Sequence, residues 1–153
     1  MSSAVLALHV AFGCIGLVLG PIAMAAQKRR GAHTNAGEYY HWNMLCLCFT
    51  ASLLAMLSWQ RIWWLLPIAI FTYAFALLGY ISSKLRWRNW LRYHVIGQGG
   101  SYIAMTTAVL VVNLGITVWW AWLLPSLVGS LMIAWVAREI VAGRRPRLSA
   151  VRT

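Results

Sequence analysis

Thirteen Lys and Arg stand against only two acidic residues, Glu38 and Glu139, and nearly all the cations fall in three tight clusters separated by long apolar runs. The clusters are Lys28-Arg29-Arg30, then Lys84, Arg86, Arg88 and Arg92, then Arg138 with Arg144, Arg145, Arg147 and Arg152. Positive charge beside a membrane span is retained on the cytoplasmic side, so the three clusters belong on one side of a bilayer. A hydrocarbon core of about 30 Å needs roughly 20 apolar residues of helix. Five such runs fit, at about 4–26, 40–59, 62–83, 94–114 and 118–141. With these spans every cluster lies on the same side, which predicts the N-terminus outside and the C-terminus inside. The outer side receives the short N-terminus, the Gln60-Arg61 turn and the Gly115-Ile116-Thr117 turn, with Arg61 its one cation.

The expected fold is therefore all-α, a polytopic bundle of five transmembrane helices forming one domain over residues 1–153. At 61% hydrophobic residues and a formal charge of +11, a soluble domain of this size would expose a large apolar surface. Basic residues at span ends set topology and touch anionic lipid headgroups, so no nucleic-acid partner is expected. Trp42, Trp59, Trp63, Trp64, Trp87, Trp90, Trp119 and Trp120 lie near predicted span ends, where an amphipathic ring anchors at the interface. No positive n-region precedes the first apolar run, which is expected to stay in the mature protein of an inner (plasma) membrane. Cys14, Cys46 and Cys48 lie within spans, and Cys46-x-Cys48 lacks the redox CxxC spacing, so all three read as small packing residues.

At about 100° per residue, His9, Gly13, Gly16 and Gly20 form one stripe of the first helix. Small residues allow close helix approach, and an imidazole is costly in lipid, so this stripe should pack against protein. On the fourth helix His94, Gln98, Ser101 and Met105 share a face, with Gly97, Gly99 and Gly100 beside it. His41, Cys48 and Ser52 align on the second, and Tyr73 and Tyr80 on the third.

His33, His41 and His94 lie toward the cytoplasmic side, whereas His9 lies near the outer face. Imidazole ligates metal or haem iron and relays protons, so these three, with Tyr40, Gln98 and Ser101, form the candidate cofactor-binding set. For each histidine taken singly the structural alternative weighs more: His33 in a solvated loop, His41 and His94 as interfacial or cap-like groups. No Glu-x-x-His pair, intramembrane acidic pair or nucleotide-type phosphate loop is present, so an enzyme reading ranks lowest.

Two stretches carry a resemblance. Lys28-Arg-Arg-Gly31-Ala-His33-Thr-Asn-Ala-Gly37-Glu-Tyr-Tyr40 and His94-Val-Ile-Gly97-Gln-Gly99-Gly100-Ser101-Tyr102-Ile103-Ala104 resemble signature segments of the bacterial predicted membrane proteins of domain-of-unknown-function family 2306. The resemblance extends to the Leu-His9 start and implies a membrane fold with no established activity. It makes His9, His33, Gly37, Tyr40, His94 and Ser101 signature positions. Glu38 stands where that loop commonly has Arg, and Gln98 where Met is frequent. Three functions remain open: binding of haem b, a quinone or a metal in a redox role, with His41 and His94 as the paired ligands; a small transporter or proton path; and a non-catalytic accessory subunit of a homo-oligomer or larger membrane complex.

Overall fold

The structure, a computed structural model, describes residues 3–27 and 31–142. The Lys28-Arg29-Arg30 cluster and Arg144, Arg145, Arg147 and Arg152 lie outside the described residues. Among the described residues six helices follow one another: α1 (Ser3–Ala25), α2 (Ala32–Leu57), α3 (Trp59–Ile62), α4 (Leu65–Leu85), α5 (Trp90–Leu114) and α6 (Trp119–Val141). No strand occurs among the described residues. Five of the helices, all but the single turn α3, are long and apolar enough to cross a membrane.

Helix limits depart from the apolar runs at three places. α2 begins at Ala32, not near Tyr40, so the expected loop around His33 is helical. Its ladder starts with Asn35 N–H donating to Gly31 O at 2.9 Å. Contacts made by His33 and Glu38 with other elements hold this weakly helical, Gly37-containing stretch in place. The 26 residues of α2 rise about 39 Å at ~1.5 Å each, so its ends pass beyond a hydrocarbon core of about 30 Å. α5 likewise starts before His94, at Trp90, and the Gln60-Arg61 turn is the helical turn α3. α5 ends where Gly115 takes φ +103°, outside the range comfortable for side-chain-bearing residues, while its N–H still donates to Val111 O at 2.9 Å.

α1 packs on α2, α2 on α4 and α4 on α5, and α1 touches α5 more lightly. These four helices enclose a core of Tyr40, Met44, Leu47, Cys48, Ala69, Ala76 and Met105. α6 lies along the outside of α5. The tightest crossing is α4 on α5, where Gly97 faces the backbone of Gly79. A Cβ on Gly97 would stand 2.6 Å from Gly79 Cα and from Phe75 O, so only glycine admits this approach.

Along α1, Gly16 and Gly20 are buried, facing Asn43 and Met105 in one case and the Tyr102 ring in the other. Gly13 packs loosely, with Leu47 Cδ1 3.9 Å from where its Cβ would be. His9 approaches Thr50 Oγ1 at 3.1 Å. Because that hydroxyl spends its proton on the Cys46 or Leu47 carbonyl, His9 Nδ1 is the donor.

Candidate functional site

Hydrocarbon offers no water to a buried polar group, so each one must find its partner within the protein. In the bundle centre this happens in a short chain of bonds. Ser101 Oγ donates to Gln98 O at 2.9 Å, which leaves its oxygen to accept from the Tyr40 hydroxyl at 3.0 Å. Gln98 Nε2 donates to Ala76 O on α4 at 3.3 Å. Tyr102 donates to Leu17 O on α1 at 3.3 Å, and Asn43 to Phe12 O at 3.0 Å. Tyr40, Gln98 and Ser101, expected as site residues, are thus brought together, and each is satisfied by another helix or by its own.

The helix ends nearest the Lys84–Arg92 cluster are different. His33, in the first turn of α2, and His94, near the start of α5, place their rings 6.1 Å apart, edge to face at 81°. His33 Nδ1 lies 2.8 Å from Ala23 O and His94 Nδ1 lies 2.9 Å from Gly79 O. A carbonyl only accepts, so both Nδ1 atoms carry hydrogen, and in the neutral rings Nε2 is the basic nitrogen. Two backbone carbonyls therefore fix both the tautomer and the orientation of this pair. Trp90, 6.4 Å from His94 between ring centres, closes one side, with the Arg86 guanidinium 4.3 Å from its own ring centre.

His41 belongs to a neighbouring group on the same end of α4. Its ring stacks on Tyr80 at 3.9 Å and 9°, with Tyr73 at 5.9 Å and Trp42 at 5.6 Å. Tyr80 donates to Glu38 Oε2 at 3.0 Å, and Lys84 pairs with Glu38 Oε1. His41 is 4% exposed and its Nδ1 has no hydrogen-bond partner. A buried orphan of this kind costs about 1–3 kcal/mol. His94 thus meets His33, whereas His41 meets Tyr80; the two imidazoles contact consecutive residues of α4.

Glu38, Tyr80, Lys84 and Trp90 were not among the expected site residues. One signal pointed to them: Glu38 is one of two acids in the chain and must find a cation if it approaches the bundle. Lys84 at the end of a neighbouring span is at the right level to be that cation.

Among the described residues no three His, Cys, Asp or Glu converge at metal-binding spacing. Of the cavities on the surface of the described residues, one lies between α1 and α2 and a larger one along α4, α5 and α6, and neither of these is lined by His33, His41 or His94. No protein-family model, no curated protein and no solved structure matches this chain.

Proposed function

We propose that the chain is a multi-pass inner-membrane protein that binds a redox-active metal, as haem b or as a transition-metal ion, through His33 and His94 at its basic end. The observation that carries this reading is the convergence of the two rings from separate helices, each held by an Nδ1–H bond to a carbonyl. That bond is the outer-sphere arrangement that orients metal-ligating histidines and raises their basicity. The spacing fits as well. A metal–nitrogen bond of about 2.1 Å, plus ~1.1 Å to each ring centre, allows two imidazoles on one ion to stand up to roughly 6.5 Å apart, and these stand at 6.1 Å.

A bound metal centre would supply one-electron chemistry. The chain's own part is to fix the two imidazoles and to keep Trp90 against their flank. His41, stacked on Tyr80 beside the Glu38–Lys84 pair, would complete the polar surroundings. The sidedness follows from the charge clusters, basic end and C-terminus inward, and a reporter fused after Thr153 should read cytoplasmic. The resemblance to family 2306 belongs to the same reading, because His33 and His94 are both among its signature positions.

Purified protein in mild detergent, titrated with haem and separately with Cu(II) or Fe(II), should bind one equivalent of one of them. His33→Ala and His94→Ala should each remove that binding at unchanged helical content. Absence of binding in the wild type, or binding indifferent to both substitutions, overturns the proposal. A second reading, a non-catalytic accessory subunit, is favoured by the saturated Tyr40–Ser101–Gln98 chain, which acts as a staple between helices. It would show as a partner protein co-purifying in fixed ratio with an imidazole-independent bundle.

A further inference from the structure

The larger cavity points to a ligand unrelated to the histidines. It is a groove of about 650 Å³ along α4, α5 and α6, walled by Phe71, Phe75, Ile96, Gly100, Ile103 and Ile133, with Arg92 at one end. Ile96, Gly100, Ile103 and Thr107 form one stripe of α5, and His94, Gln98, Ser101 and Met105 the opposite one, so the groove and the imidazole pair occupy different faces of the same helix. Of the hydroxyls along its wall, Thr107 donates to Ile103 O at 2.8 Å and Ser126 to Trp122 O at 3.3 Å, while Ser130 is exposed on α6. Apart from its end, the groove therefore suits a hydrocarbon chain.

The end has the opposite character. Arg92 is exposed in the first turn of α5, within the Lys84–Arg92 cluster, and among the described residues no carboxylate pairs with it. From Arg92 to Ala108, the farthest α5 residue lining the groove, α5 rises about 24 Å at ~1.5 Å per residue, against the ~15 Å that one leaflet contributes to the hydrocarbon core. A cation at headgroup level above an apolar channel deep enough for a whole leaflet matches a lipid with a negative head. The α1–α2 cavity provides the contrast. It is lined by Phe12, Ile15, Leu19, Trp42 and Cys46, holds no charged group, and its Asn43 amide already donates to Phe12 O.

We infer that the α4–α5–α6 groove is a binding site for an anionic phospholipid, with the phosphate on Arg92 and one acyl chain lying between α5 and α6. Native mass spectrometry of the full chain, with palmitoyl-oleoyl phosphatidylglycerol and phosphatidylcholine added in turn, tests it. The wild type should retain phosphatidylglycerol at least tenfold more strongly than phosphatidylcholine. Arg92→Gln should bring the two close to equal, with the larger loss in phosphatidylglycerol retention. Ala134→Phe, at an exposed position on the α6 wall, should reduce retention of both by blocking the chain. An undiminished preference in Arg92→Gln, or undiminished retention in Ala134→Phe, overturns the assignment. Because both positions line the groove, on the side of α5 opposite the imidazole stripe, metal binding should be the same in all three proteins, and the two proposals fail separately.

Discussion

α2 and α6 are both long enough to cross a membrane, yet half of the most apolar 18-residue stretch of α2 is buried against 6% of that of α6. The buried helix is the less apolar of the two. Its inward residues include Tyr40, His41, Asn43 and Thr50, whereas α6 turns Leu123, Leu127, Leu131 and Trp135 outward. In water the order would be reversed. In a bilayer, lipid tails match leucine as a neighbour, so burial confers little advantage on an apolar face, and a polar face gains by meeting protein. Burial in this chain accordingly follows polarity and small size: Gly97 on Gly79, Tyr40 on Ser101, Gln98 on Ala76.

If that contrast holds, the severest single change lies at the α4–α5 crossing. Gly97→Leu places atoms against backbone on both Gly79 and Phe75, and backbone cannot rotate aside as a side chain can. Overpacking costs about 1–3 kcal/mol where side chains can shift and more against backbone, so the variant should fail to give a monodisperse bundle in detergent, measured by size-exclusion chromatography and thermal unfolding. A Gly97→Leu protein as stable as wild type would mean that α4 and α5 do not cross here. Next comes Met44→Ala, which empties a site that is 0% exposed. The transfer term is small when the reference phase is lipid, so the cavity dominates and the loss should be about 2 kcal/mol, the low end for such truncations. Retained stability there would show that the centre of α2 is loosely packed.

How far these contacts could be read from the sequence varies with their cause. Five spans were legible because hydrophobic length and clustered charge act locally, on stretches of about 20 residues. The stripe on α5 was legible in part: Ser101 and Met105 are buried, as is Gly97 beside them, whereas His94 and Gln98 are half-buried. The partners were not. Periodicity orders residues around one helix and says nothing about which neighbour that face meets, so it could not tell that His94 would stand against His33 and His41 against Tyr80. Nor could it extend α2 back to Ala32, because those turns lie in a polar stretch without an apolar period and are held by the Glu38–Lys84 pair and the His33 bond to Ala23.

Tyr40→Phe sharpens the comparison on a smaller scale. It removes only the hydroxyl that donates to Ser101 and leaves the ring in the core. Ser101 keeps its bond to Gln98 O, so no donor is orphaned and the lost acceptance is the whole effect. Interhelical hydrogen bonds in membranes average about 0.6 kcal/mol, and a loss of that order should appear in reversible unfolding in mixed detergent. A loss of ~3 kcal/mol would instead make the Tyr40 chain a principal support of the bundle.

The smallest expected effect is on α6, where Leu127 is 62% and Leu131 64% exposed. If lipid covers this face, truncating both to Ala exchanges leucine–lipid contact for lipid–lipid contact and opens no cavity, because acyl chains flow in where a packed core would not. Unfolding free energy should then stay within about 0.5 kcal/mol of wild type, as for surface positions generally, and the particle mass in detergent should not change. A drop of 2 kcal/mol or more, or a change in mass, would show that a second protein surface rests on Leu127 and Leu131. α6 would then be as much a packing helix as α2, with its partner outside the chain, and the contrast between the two would reduce to which partner each one meets.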